Sequence, residues 1–153
     1  MFRQFLEILR EILDRVLTVD PNYPPESIII SGVGVSTPEG GNIGVVISAP
    51  GNKNPLEISE WINAKDEKEA VLDAIYLGLS TVLNMYPSNA YPIQIESDNK
   101  AVIKMLQNSP TEIHLMRKMR FILYLTSQVE RGVKFVWRKK NSTPALRAAR
   151  QLT

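Results

Sequence analysis

The chain contains no cysteine, so it has no disulfide framework and no thiolate metal site. Histidine is almost as scarce. His114 is alone, among apolar and basic neighbours, and reads as a packed or surface side chain. No Ser-His-Asp arrangement, phosphate-binding loop or dinucleotide fingerprint is present. The glycines of Gly32-Val33-Gly34 have no helix directly after them and do not read as a phosphate cradle. No apolar run approaches the roughly 18 residues that span a bilayer. Residues 1–17 interleave Glu7, Glu11 and Asp14 with Arg3, Arg10 and Arg15 and lack a small-residue cleavage site, so they do not read as a signal or transit peptide. An intracellular, cytoplasmic setting with no membrane partner is the expectation. Acid is also missing from one stretch: after Glu130 there is no Asp or Glu at all.

What is present fits one soluble domain. The 153 residues, 44% hydrophobic and 22% charged, are enough to bury a core without staples. The net charge of +2 conceals an asymmetry. From Arg117 onward ten basic residues face Glu130 alone, a net of +9, which leaves 8 basic and 15 acidic residues, a net of −7, in 1–116. A basic C-terminal third suits an anionic partner, unless the two parts neutralise each other across the fold.

Periodicity gives the order of elements. Phe2, Phe5, Leu9, Ile12 and Val16 recur at steps of three and four, predicting an amphipathic helix over 2–17 within an N-terminal segment 1–20. A proline-rich linker, 21–27, follows. Ile28 to Val35 and Ile43 to Ser48 read as strands joined by a turn at Pro38 to Asn42, with a third strand at Leu56 to Ile62. Asp66 to Met85 reads as a long helix, Ile93 to Glu96 as a strand and Asn99 to Leu106 as a short helix. Thr111 to Val129 reads as a further helix, Val133 to Trp137 as a last strand and Pro144 to Leu152 as a final helix. Strands first and alternation afterwards predict an α/β domain over 28–153: a five-stranded mixed sheet with helices on its faces.

This order resembles that of the ribonuclease H family, most closely its retroelement-type and plant-type members. The local wording matches at Gly44-Val45-Val46-Ile47 with Pro50-Gly51, at Glu69-Ala70 through Ala74 and Gly78-Leu79, at Glu96-Ser97-Asp98-Asn99 with Ala101-Val102, and at Val133 to Arg138 followed by Asn141 and Ala145. The resemblance implies cleavage of the RNA strand of RNA–DNA hybrids by two divalent cations, Mg²⁺ or Mn²⁺, held on carboxylates about 4 Å apart. It implies four acids. The first stands before a glycine in the first strand, where this chain has Ser31 before Gly32. The second matches Glu69 and the third Asp98. The fourth falls on Ala145, or on Arg150 with a gap. Two of four are therefore lost, and the chain resembles a catalytically degenerate member with no cofactor.

The retained acids also have structural readings. Asp66 and Glu69 are spaced as a capping box, and Asp98 is placed to cap the helix that follows it. Glu96 lies on the same strand face as Asp98 and is a weak candidate for a compensating acid. Three functions follow. A non-catalytic nucleic-acid-binding or assembly module would contact RNA, DNA or a hybrid through Arg138, Lys139, Lys140, Arg147 and Arg150. A protein-interaction or dimerisation domain would use the stripe of helix 2–17 on a partner or on itself. A divergent metal-dependent nuclease would rely on Glu69, Asp98 and Glu96. Trp61, Tyr76 and Trp137 are expected in the core, with base stacking as their alternative.

Overall fold

The protein is described by a computed structural model at residues 3–9, 26–108 and 112–153. Residues 3–9 form a helix, α1, whose side chains are exposed throughout. Phe2, Ile12 and Val16 of the expected stripe, and linker residues 21–25, lie outside the described residues.

The domain begins with β1 (Ile28–Thr37), β2 (Gly40–Ser48) and β3 (Leu56–Ile62), followed by α2 (Glu67–Met85), β4 (Ile93–Ser97) and α3 (Lys100–Gln107). A 3₁₀ turn at Ile113–Leu115 leads into α4 (Met116–Ser127), and β5 (Val133–Trp137) and α5 (Pro144–Gln151) complete it. The five strands lie in the order β3-β2-β1-β4-β5. β1 pairs antiparallel with β2, and β2 with β3, while β4 runs parallel to both β1 and β5. This is the mixed sheet expected from the sequence. The first turn is tighter than expected, because Thr37 pairs with Gly40 and its hydroxyl donates to the Gly40 carbonyl at 3.0 Å. The helix expected over Thr111 to Val129 opens as a 3₁₀ turn, and no described helix is long and apolar enough to cross a membrane.

Both faces of the central strands are covered, which is why β1 reads as nearly continuous apolar sequence rather than an alternation. Ile28, Ile30, Ile43, Val45 and Ile95 pack with α2, α3 and α4 in the main core. The opposite face holds Val33 and Val46 against Leu146 and Ala149 of α5. Two glycines permit these close approaches. A Cβ on Gly34 would stand 2.7 Å from that of Ala70 in α2, and one on Gly44 would stand 2.0 Å from the Ala149 carbonyl oxygen of α5. The Ser59 hydroxyl then ties α5 down by donating to the Leu152 carbonyl at 2.7 Å.

The aromatic expectation is corrected: Trp61, Tyr76 and Trp137 are exposed, at 62%, 45% and 43%. Trp61 lies on the edge strand β3, where its ring covers Gly40 instead of entering the core. The interior is filled by smaller aliphatic residues from strands packed closely on helices.

Gly44→Ala is expected to destabilise the domain by about 1–3 kcal/mol, because backbone rather than a flexible side chain blocks the new methyl. Gly32→Ala, whose Cβ would meet neighbours at an ordinary 3.5 Å, is expected to cost less than about 1 kcal/mol. Urea denaturation of the two variants beside the parent checks the difference.

Candidate functional site

The C-terminal end of β4 brings together some of the expected site residues, but not Glu69. Ser31 of β1 pairs with Glu96 of β4, and both are buried. The Ser31 hydroxyl donates to Glu96 Oε1 at 2.7 Å. Thr143 caps the N-terminus of α5 by accepting from the Leu146 N–H, and its hydroxyl lies 3.5 Å from the same Glu96 oxygen. On the other carboxylate oxygen, Arg138 stands as an ion pair at 3.6 Å. Burial pushes the Glu96 carboxyl above the ordinary carboxylate range, and hydrogen bonds from Ser31 and Thr143 pull it partly back.

Asp98 follows where β4 runs into α3. Its side chain is 4% exposed, and Arg150 of α5 donates to Oδ2 at 2.5 Å. Asp98 does not cap α3. That cap is Asn99, whose side chain accepts from the Val102 N–H at 3.1 Å, which leaves the Asp98 carboxylate to face α5. Ala145, the other position expected for the fourth acid, sits in the first turn of α5 against the small apolar cluster.

Glu69, one turn into α2, belongs to a different network. Asp66 caps α2 by accepting from the Glu69 N–H at 2.8 Å. Glu69 reaches back to the Lys65 N–H at 3.0 Å, one residue before the cap amide that a capping box would engage. Its other oxygen is 3.1 Å from Lys118 of α4, which also holds Asp73 at 2.7 Å. Burial pushes the Glu69 carboxyl up, but the Lys65 N–H and Lys118 outweigh it, and its pKa lies below the ordinary value. His114 joins this end of α2 from the 3₁₀ turn, 3.2 Å from Asp66.

No family model matches the sequence, and no curated protein matches it. Solved structures do match. The N-terminal ribonuclease H domain of a Mycobacterium tuberculosis protein superposes with a TM-score of 0.69 at 18% identity, over 83% of this chain and 93% of that one. A type 1 ribonuclease H isolated from compost, in complex with an RNA/DNA hybrid, gives a TM-score of 0.70 at 22% identity, over 82% and 93%. The chain has a ribonuclease-H-like fold. The same fold lies within the protease–reverse transcriptase of prototype foamy virus, with a TM-score of 0.64 at 14% identity, over 88% of this chain and 22% of that one.

A ribonuclease-H-like fold implies a pair of divalent cations, and the residues at this site do not fit them. Hard cations need several carboxylate oxygens converging on one point. Ser31 and Ala145 stand at two of the four expected positions. Among the described residues, no three of His, Asp and Glu form a group able to hold a metal. Each retained acid is met by a cation of the chain itself: Glu69 by Lys118, Glu96 by Arg138 and Asp98 by Arg150.

Two of the five residues expected to bind nucleic acid therefore turn inward. Arg138 and Arg150 have side chains only 26% and 20% exposed, because buried carboxylates require a countercharge. Lys139, Lys140 and Arg147 remain exposed. The structure adds residues that the sequence reading missed. Lys100 of α3 lies 5.2 Å from the Trp137 ring centroid, Lys104 follows one helical turn later, and the indole N–H points to the Asp98 carbonyl at 3.3 Å. The i, i+4 spacing of Lys100 and Lys104 carried the helical part of that signal. The proximity of Lys100 to Trp137 had none.

Ser31→Ala removes a donor from a buried carboxylate and is expected to cost about 1–3 kcal/mol at neutral pH. The sign with pH follows from the raised Glu96 pKa. The folded state holds that proton more tightly than the unfolded chain, so the group's stabilising contribution is present at low pH and is lost as pH rises through the folded pKa. Removing Ser31 raises that pKa further. The deficit of the variant should narrow as pH falls from about 8 to about 4, where Glu96 becomes protonated. Asp66 and Glu69, whose pKa values are lowered, lose their contributions equally in both proteins. Urea midpoints across this range check it, and a deficit independent of pH would contradict the assignment.

Proposed function

We propose that this chain is a catalytically degenerate ribonuclease-H-like domain that binds nucleic acid without cleaving it. The observation that carries the reading is the Arg150–Asp98 pair. A guanidinium from the helix that would present the fourth acid occupies the third acid, so a positive charge stands where the chemistry needs a cation held by carboxylates. Ser31 in place of the first acid and Lys118 on Glu69 point the same way.

The binding surface in this reading lies beside the altered site. Lys100 stands over the partly exposed Trp137, Lys104 follows it one turn later on α3, and the exposed Lys139 and Lys140 follow Trp137 directly in the chain. Lysines supply phosphate contacts that are salt-dependent and tolerant of sequence, and an aromatic face beside them stacks on an unpaired base. The compost enzyme's complex with an RNA/DNA hybrid supports a hybrid as the first ligand to try.

The test uses a labelled RNA–DNA hybrid with Mg²⁺ and then Mn²⁺. The expected result is retention without cleavage, with the dissociation constant rising steeply with salt. Lys139→Ala with Lys140→Ala should flatten the slope of log affinity against log salt by roughly 1.4–1.8, the loss of two phosphate contacts. Trp137→Ala should weaken single-stranded binding by about 1–3 kcal/mol. Cleavage abolished by Asp98→Asn would make the chain an active nuclease and refute the proposal.

A further inference from the structure

The loop between β5 and α5 carries two neighbouring hydroxyls, Ser142 and Thr143, just after the basic run Arg138-Lys139-Lys140. The structure separates the two. Thr143 is half-buried and its hydroxyl oxygen is already in use: it accepts from the Leu146 N–H at 3.1 Å as the cap of α5 and lies 3.5 Å from Glu96 Oε1. A phosphate there would break the cap and be pressed against a buried carboxylate. Ser142 is exposed, and its hydroxyl bonds to no described residue. Its N–H donates to the Lys139 carbonyl at 3.0 Å, which closes a four-residue turn with Asn141 in the left-handed region at φ 59°. The turn brings the Ser142 backbone back beside Lys139, while the side chains of Lys139 and Lys140 stay exposed. From the other side, Arg147 Nη1 lies 3.4 Å from the Asn141 carbonyl oxygen, in the peptide that leads into Ser142.

We infer that Ser142 is a phosphorylation site whose phosphate switches off the nucleic-acid surface proposed above, the reading on which this inference rests. Lys139 and Lys140 stand three and two positions before the hydroxyl, an arrangement that suits a serine kinase with an acidic substrate groove. The Ser142 oxygen attacks the γ-phosphorus of ATP. A new O–P bond forms, the bond from that phosphorus to the bridging oxygen breaks, ADP leaves, and the hydroxyl proton passes to the kinase's base. The product carries a charge of about −1.5 to −2 at neutral pH, enough to offset Lys139 and Lys140. Arg147 and the first turn of α5 favour the phosphate from the other side. The lysines then face a phosphate of their own chain instead of one from nucleic acid. No carboxylate of the loop repels it, since the chain has no Asp or Glu after Glu130. Glu96 and Asp98 are enclosed and matched by Arg138 and Arg150.

The experiment treats the full chain with ATP and the catalytic subunit of cyclic-AMP-dependent protein kinase, a kinase of that class, and maps the product by mass spectrometry. The expected product carries its phosphate on Ser142. Ser142→Ala should take up none there and bind a labelled RNA–DNA hybrid as the parent does. Phosphorylation should weaken hybrid binding at least about tenfold at about 0.1 M salt. The slope of log affinity against log salt should flatten by roughly 1.4–1.8, the loss of two phosphate contacts. A second readout needs no nucleic acid. The ³¹P resonance of the modified chain should titrate below the second pKa of a free phosphoserine, about 6, and Arg147→Ala should return it toward that value. Three results overturn the inference: no phosphate on Ser142, phosphate on Thr143 in its place, or a modified chain that binds hybrid as tightly as the unmodified one. An unmodified chain that binds no hybrid refutes the nucleic-acid reading instead. The ³¹P titration then decides the site alone, and an unshifted pKa overturns it.

Discussion

Glu96 is almost wholly enclosed at the end of a central strand, and an ionised carboxylate there is costly unless its oxygens are met. The arrangement around it can be read as the solution to that one constraint. Ser31 from β1 and Thr143 from the start of α5 turn hydroxyls toward one oxygen, and Arg138 from the end of β5 stands by the other. These contacts join two neighbouring strands and the helix that covers them. Asp98, two residues on, extends the same network to Arg150 at the far end of α5. The helix is thereby held to the sheet at its start by the Thr143 hydroxyl, at its far end by the Arg150–Asp98 ion pair, and along its middle by Val33, Val46, Leu146 and Ala149.

That network bears directly on the chemistry the fold can perform. A two-cation nuclease site keeps clustered carboxylates unsatisfied until metal arrives. Here the chain supplies cations and hydroxyls of its own, and a divalent ion would have to displace a guanidinium from Asp98. A site of this kind favours a rigid, self-neutralised end of the sheet, with lysines and Trp137 left facing outward beside it. On the proposed reading, the fold keeps the surface that approaches nucleic acid and gives up the centre that would cut it.

The element order was legible in the sequence because local signals agree with it. β-Branched runs mark β1 and β2, Asp66 marks the start of α2, and Thr143-Pro144 marks the start of α5. Ser31 before Gly32 and the absence of carboxylates after Glu130 are facts of sequence alone, and they carry the proposed reading of the site. What the sequence could not show was the partner of each remaining acid. Glu69 meets Lys118 and Asp98 meets Arg150 across separations of 49 and 52 residues, and no local pattern encodes such pairs. The exposure of Trp61 and Trp137 was likewise undecidable locally, because an edge strand and a central one use similar residues. Sequence by itself determined the strands, the helices and which carboxylates exist. Tertiary structure alone decided which charges neutralise each other, because that depends on the close packing of α5 and α4 on opposite faces of one sheet.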